Sequence, residues 1–270
     1  MKIVLWVCNE PIQRALANKI HARFPLAGIV TESPVYRRKI SLPIIFERAW
    51  EKILLPTFSG AWTGAQQHFT EQYAEWPSVP MINVENINTG EALEFTKGLN
   101  PDLVFVSGTR LIRKPLINYK PPVGIVNLHT GLSPYIKGAP NCTFWCLATS
   151  QFHMIGNTVM WIDEGIDSGN LITTEHCSFT GNESLKEMLA KELEQGQDLS
   201  LRAIEHLAAG GRNNVPQDNL GKGTTYYSRQ WGLSQSRALV KNFRRFKAEI
   251  NNEKNKSLRA SVKTVPLPGV

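Results

Sequence analysis

The feature that most narrows the fold is a pair of short apolar runs, KIVLWV (2–7) and LAGIVTE (26–32), separated by PIQRALANKIHARF (11–24). Such runs suit strands covered on both faces, the condition of a parallel sheet between helix layers. The segment between them places Ile12, Leu16 and Ile20 at helical spacing behind Pro11, a good first-turn residue. Strand, helix and strand in that order predict a βαβ unit and an α/β chain.

The same pattern resumes downstream. MINV (81–84) reads as a strand, a helix is expected from about Glu91 to Leu99, and Asn100-Pro101 stops it before the buried strand DLVFVSG (102–108). GIVNLH (124–129) is a further strand, a helix follows from about Asn141 to Thr149, and NTVMWI (157–162) and NLITTEHC (170–177) are two more strands. Thr180-Gly-Asn-Glu183 reads as a capping box for a helix whose Leu185, Met188, Leu189 and Leu193 form an apolar stripe.

Residues 33–78, with YRRK (36–39), IIFERAWEKILL (44–55), Trp62 and Trp76, fit no such unit and are expected to form an insertion of irregular helices. The expected organisation is a domain with a mostly parallel twisted sheet over residues 1–210 and a small C-terminal extension over 211–270. That extension should contain a hairpin-like aromatic segment, TTYYSRQW (224–231), a basic helix, SQSRALVKNFRRFK (234–247), and a disordered end.

A chain of 270 residues, 42% hydrophobic, can bury a full core. It has no apolar run near the roughly 18 residues of a membrane span, and KIVLWV passes into polar NEPIQR without a signal-peptide pattern. A cytosolic protein without membrane contact is expected. Cys8, Cys142, Cys146 and Cys177 are too few and too irregular for a disulfide framework and read as reduced thiols. The formal charge of +7 is concentrated at one end: eleven Lys or Arg against two Glu from Gly221 onward give +9 there and −2 before it.

The chemistry begins where GIVNLH runs into NLHTGLSPYIKGAPN (127–141). Side chains two residues apart on a strand share a face, so Asn127 and His129 project together. Alone, a strand-end histidine more often satisfies a local hydrogen bond. Further on, WIDEGIDSGN (161–170) holds Asp163, Glu164 and Asp167 between and beside glycines 165 and 169. Such a turn can bring a carboxylate to an imidazole and hold its tautomer or its charge. Asn, His and Asp converging on one point would make an acyl-transfer site with no nucleophilic side chain.

NLHTGLSPYIKGAPN resembles the N-x-H-x-S-L-L-P-x-Y-x-G-x-x-P signature of the 10-formyltetrahydrofolate-dependent formyltransferases. DEGIDSGNLI resembles the D-x-G-x-D-x-G segment that closes their active site, and PDLVFVSGTRLI (101–112) the strand and loop before the signature. The resemblance is specific from about Pro101 to Ile172, extends at fold level over 1–210 and is absent beyond. It implies a Rossmann-like formyltransferase fold with Asn127, His129 and Asp167 as the catalytic trio. An amine would attack the formyl carbon of 10-formyltetrahydrofolate while Asn127 and His129 donate to the formyl oxygen and Asp167 orients His129.

The resemblance also implies a folate site built largely of main chain, from Arg110, Leu111 and Ile112 and from Trp161, Ile162, Asp163, Glu164, Gly165 and Ile166. The side chains of Asp163 and Glu164 then read as turn and solvent residues. Thr130, Ser133, Lys137, Asn141, Tyr227 and Arg229 are the candidates for the amine acceptor, although Tyr227 and Arg229 could equally pack a hairpin.

Three branches of the family differ in acceptor. VCNEPIQR (7–14) lacks the glycine-rich phosphate loop of the glycinamide ribonucleotide enzyme. About sixty residues follow Gly210, without the strand alternation of the roughly hundred-residue OB-type domain that the methionyl-tRNA enzyme carries. Enzymes acting on nucleotide-linked amino sugars, often dimeric through a short C-terminal extension, fit in size, so a nucleotide sugar acceptor and a homodimer are expected. The alternatives are a methionyl-tRNA formyltransferase-like enzyme, a formyltetrahydrofolate hydrolase using water, and a nucleic-acid-binding protein using the basic helix. A metal site at Cys142 and Cys146, one helical turn apart, has no evident third ligand.

Overall fold

The computed structural model describes residues 1–34, 55–139 and 141–267. Residues 35–54 of the expected irregular insertion, YRRK and all but the last residue of IIFERAWEKILL included, lie outside the described residues.

Strand β1 (Ile3–Cys8) shows why its sequence is apolar throughout. Ile3, Leu5 and Val7 pack on one face with Leu16 and Ile20 of helix α1 (Pro11–Arg23). Val4 and Trp6 pack on the other with Val30, Ala92 and Leu93. The Trp6 indole N–H donates to Thr96 Oγ1 at 2.9 Å, which satisfies the polar atom of that buried ring.

Four strands run parallel to β1 or to its neighbours: β2 (Leu26–Glu32), β3 (Met81–Val84), β4 (Leu103–Ser107) and β5 (Gly124–His129). A three-residue strand, β6 (Ile136–Gly138), lies apart, and β7 (Gly156–Trp161) and β8 (Leu171–His176) close the main sheet in antiparallel fashion. The seven-stranded sheet has the order β3-β2-β1-β4-β5-β7-β8. The order reverses between β1 and β4, so the crevice beyond their C-terminal ends is where a ligand of such a sheet binds.

Short helices α2 (Pro56–Ser59) and α3 (Ala61–Gln72) follow the undescribed stretch, and α3 buries Ala61, Ala65 and Phe69. Helix α4 (Gly90–Leu99) ends at Asn100, which takes a left-handed conformation at φ +47°. Helix α5 (Cys142–Ala148) begins one residue after its cap, Asn141. Helix α6 (Leu185–Ala208) buries the expected stripe of Leu185, Met188, Leu189 and Leu193.

The capping box of α6 is Ser184 with Glu187, not Thr180 with Glu183. The Glu183 carboxylate instead accepts from the N–H groups of Thr180 and Gly181, each at 2.9 Å. Gly181 stands at φ +87°, so a right-handed helix cannot start through it. Both sequences satisfy the same local pattern, and the turn decides between them.

The C-terminal segment differs from expectation in two places. TTYYSRQW is not a hairpin: β9 (Thr224–Tyr226) pairs in parallel with β6, which comes from the signature loop. The end of the chain is ordered as far as it is described. Helix α7 (Leu233–Glu249) buries Leu239, Phe243 and Phe246, with the Phe246 ring 5.6 Å from Phe152 and 5.5 Å from Phe179. Helix α8 (Glu253–Ser261) follows, after which Val265 exchanges hydrogen bonds with Thr174: its N–H donates to Oγ1 at 2.8 Å and its carbonyl accepts from the Thr174 N–H at 2.9 Å. A polar tail is held here by the unpaired edge of β8, a stabilisation that hydrophobicity does not measure. Among the described residues no helix is long and apolar enough to cross a membrane.

Candidate active site

A cavity of about 570 Å³ opens at the C-terminal ends of β1, β4 and β5, where Cys8, Ser107, Asn127 and His129 line it. Asn127 and His129 share one face of β5, as their spacing dictates. Asn127 is half-buried, whereas His129 is only 8% exposed.

The ring of His129 meets an acceptor on each side. Its Nδ1 lies 3.4 Å from Asp167 Oδ1 and its Nε2 lies 3.3 Å from the carbonyl oxygen of Ile136. Cys142 Sγ is 3.5 Å from the same Nε2, but burial, reinforced by Cys146, Asp167 and Glu192, drives its thiol well above the ordinary range. It is a neutral thiol and not a nucleophile.

Asp167 belongs to the turn between β7 and β8 and stands at φ +48°. Its second oxygen accepts from the Gly138 N–H at 3.0 Å. The turn is braced internally by Asp163, whose Oδ1 accepts from Gly165 N–H at 3.0 Å and from Ser168 Oγ at 2.6 Å. Gly169 is required by close approach: a Cβ there would collide with the Trp161 carbonyl oxygen. Asp163 is thus a turn residue, as its sequence context suggests.

The loop after β4 is held from behind. Glu32, 1% exposed at the end of β2, accepts from the N–H of Ile87 at 2.9 Å and of Arg110 at 2.8 Å. Asn88 donates to the Leu111 carbonyl at 3.1 Å and accepts from the Arg113 N–H at 2.7 Å. The loop therefore has a defined shape facing the cavity.

Most of the site residues expected from the sequence come together. Arg110, Leu111 and Ile112 line the cavity, as do Trp161, Ile162, Asp163, Gly165 and Ile166. Glu164 does not, and its carboxylate pairs with Lys114 at 2.7 Å on the surface. Thr130, Asn141 and Tyr227 are in the lining, with the Asn141 side chain also accepting from the Phe144 N–H at 3.0 Å as the cap of α5.

Ser133, Lys137 and Arg229 are outside the lining. Ser133 is fully buried and its N–H donates to Thr158 Oγ1 at 3.0 Å, so the motif position serves the loop's shape. Lys137 sits on β6. Arg229 lies over the Tyr227 ring at 5.3 Å. Among the described residues no group of three or more His, Cys, Asp or Glu is placed to hold a metal ion, and Cys142 and Cys146 are buried.

Glu10, Gln13, Trp62 and Tyr226 also line the cavity, although none of them is among the site residues expected from the sequence. For Glu10 and Gln13 a signal existed, since both follow the C-terminal end of the first strand. Burial raises the Glu10 carboxyl above its ordinary value, offset in part by the Gln66 amide at 3.3 Å.

Residues 71–204 match the family model described as formyl transferase. The methionyl-tRNA formyltransferase of Methylacidiphilum infernorum is 27% identical over 205 residues, which cover 75% of this chain and 56% of that protein. Among solved structures, a 4-N formyltransferase from Francisella tularensis superposes with a TM-score of 0.56 at 14% identity, over 89% of this chain and 87% of that one. The N-formyltransferase of Helicobacter canadensis, solved with folinic acid and dTDP-3-aminofucose, gives 0.55 at 13% identity, over 90% and 80%. The chain spans about half the length of the curated relatives it matches.

Proposed function

We propose, for a chain whose residues 71–204 match the formyl transferase family model, that it transfers a formyl group from 10-formyltetrahydrofolate to the primary amine of a small molecule, an amino sugar carried on a nucleotide. The observation that carries this reading is the convergence of Asn127, His129 and Asp167 on one cavity bounded by residues 110–112, 161–163, 165 and 166. The two segments would hold the folate chiefly through main-chain groups. As the amine adds to the formyl carbon, negative charge gathers on the formyl oxygen. Two donors in the cavity wall, the Asn127 amide and the His129 ring, suit that charge, and Asp167 keeps the ring oriented for proton transfer.

Thr130, Asn141, Tyr226 and Tyr227 line the remaining wall and suit a sugar with an attached base. The ligands of the Helicobacter canadensis structure support both halves of the reading. A second reading, formylation of an aminoacylated tRNA, is favoured by the sequence match to methionyl-tRNA formyltransferases and by the exposed Arg237, Lys241, Arg244 and Lys247 of α7.

Calorimetric titration with 5-formyltetrahydrofolate, followed by dTDP- and UDP-linked amino sugars, tests the proposal. Micromolar folate binding strengthened by one nucleotide sugar is the expected result. Absence of folate binding in every condition overturns it. Binding of methionyl-tRNA that weakens steeply with salt favours the second reading.

A further inference from the structure

We infer that the segment following Gly210 positions the catalytic acid, with Gln217 as the residue that holds Asp167 in register with His129. The inference rests on the proposed role of that pair and adds to it a residue outside the family match, which ends at 204.

Gln217 reaches into the turn between β7 and β8 with its amide nitrogen. Nε2 donates to the carbonyl oxygen of Asp167 at 2.8 Å and to that of Gly169 at 2.8 Å. Both amide protons are committed, which fixes the orientation of the side chain, and the residue is 8% exposed. Asp163 braces the first half of the turn from within, whereas Asp167, at φ +48°, has its main chain held from outside by Gln217. Drawing the carbonyls on either side of Ser168 to one donor fixes the peptide planes that aim the Asp167 carboxylate.

The same segment acts on the carboxylate from its other side. Gly138, whose N–H donates to Asp167 Oδ2 at 3.0 Å, lies on β6, and β6 is a strand only by pairing with β9. A Cβ on Gly138 would collide with the Tyr226 carbonyl, so the two backbones are in direct contact. Upstream, Val215 exchanges hydrogen bonds with Leu171 at 2.8 and 2.9 Å, which anchors the start of the segment to β8. Residues 215 to 226 thus bracket Asp167, through its main chain at Gln217 and through its side chain at β9 and β6.

The test compares ring-nitrogen NMR spectra of histidine-labelled wild type, Gln217→Met and Asp167→Asn. Methionine keeps the length and burial of the side chain and removes the donor. The Asp167→Asn spectrum defines the His129 signal without its carboxylate. The expected result is that Gln217→Met moves the His129 signal toward that spectrum while His21, His68, His153, His176 and His206 stay in place. With transferable substrate, kcat falls about tenfold to hundredfold, the scale of a misplacement near 1 Å, with the KM for the donor little changed.

A wild-type His129 signal in folded Gln217→Met overturns the inference. Should the methionine variant not fold, Gln217→Asn, whose amide is one methylene short of the carbonyls, gives the same comparison. The spectra need no turnover, so a displaced His129 signal in a protein that proves unable to transfer formyl groups supports the positioning role and overturns the proposed function alone.

Discussion

Asp167 Oδ1 lies 3.4 Å from Nδ1 of His129 while its Oδ2 accepts from the Gly138 N–H at 3.0 Å, so both carboxylate oxygens are engaged on opposite sides. The carboxylate cannot turn away from the imidazole without giving up the second bond. The imidazole, with a carbonyl at its other nitrogen, is held in turn. That mutual restraint is what a preorganised site needs, because donors already in place cost no rearrangement when charge develops.

Asn127→Ala and His129→Ala are each expected to lower kcat by about 10²–10³, the usual effect of deleting one donor to a developing oxyanion. Thermal melts should stay close to wild type for Asn127→Ala, since that side chain faces the cavity. Turnover measured with 10-formyltetrahydrofolate and an amino sugar checks this, and near-normal rates in either variant would remove the mechanism.

Asp167→Asn keeps the size of the side chain and tolerates φ +48°, because asparagine enters the left-handed region readily. It removes the negative charge facing His129. A loss of about 10²-fold or more in rate is expected, in the range of a misplaced acid–base group, and a pH–rate profile with the wild-type shape and height would contradict the role assigned to the pair.

Glu32→Ala leaves the N–H groups of Ile87 and Arg110 without their acceptor, at a cost of about 1–3 kcal/mol for the buried Ile87 donor. The loop carrying Arg110, Leu111 and Ile112 loses its shape first. Weaker calorimetric binding of 5-formyltetrahydrofolate is expected, and unchanged affinity would show that the loop is held by other contacts.

Glu192 is fully buried on α6, with Thr143 Oγ1 donating to its Oε1 at 2.6 Å, and burial raises its carboxyl from 4.5 to about 8. The folded protein therefore keeps a proton that the unfolded chain releases above about 4.5. More protons bound in the folded state means that stability is greatest in acid, falls as pH rises through this window and levels off above about 8. Glu192→Gln removes the titration and keeps an acceptor for Thr143. Calorimetric melts should show a larger gain in Tm for the variant at pH 8 than at pH 5, and equal differences at both would mean that Glu192 does not titrate in that window.

Gly169→Ala places a methyl group against the Trp161 carbonyl, a backbone atom that cannot swing aside. A loss on the order of 1–3 kcal/mol is expected, the scale of overpacking. Denaturant titration measures it, and a variant as stable as wild type would mean that the turn relaxes freely.

Local pattern carried a large part of this protein. The apolar runs of β1 and β2 required a sheet buried on both faces, Asn100 stopped α4, and the spacing of Asn127 and His129 placed both on one face of β5. The signature loop and the turn around Asp167 were legible because their residues are close in the chain, and Gly169 serves the nearby backbone of Trp161. Where two local patterns were equivalent, as with Thr180 and Ser184, the choice fell to a turn at Gly181 that composition does not reveal.

Contacts between distant, mostly polar segments were settled by tertiary structure. Glu10 and Gln13 enter the cavity because β1 sits beside β4 in the sheet. Gln217 reaches the carbonyls around Asp167 across fifty positions of sequence, and Val265 completes the edge of β8 across more than ninety. Periodicity reports which face of an element is apolar, whereas a buried hydrogen bond between segments depends on where the chain returns, and only the assembled fold specifies that.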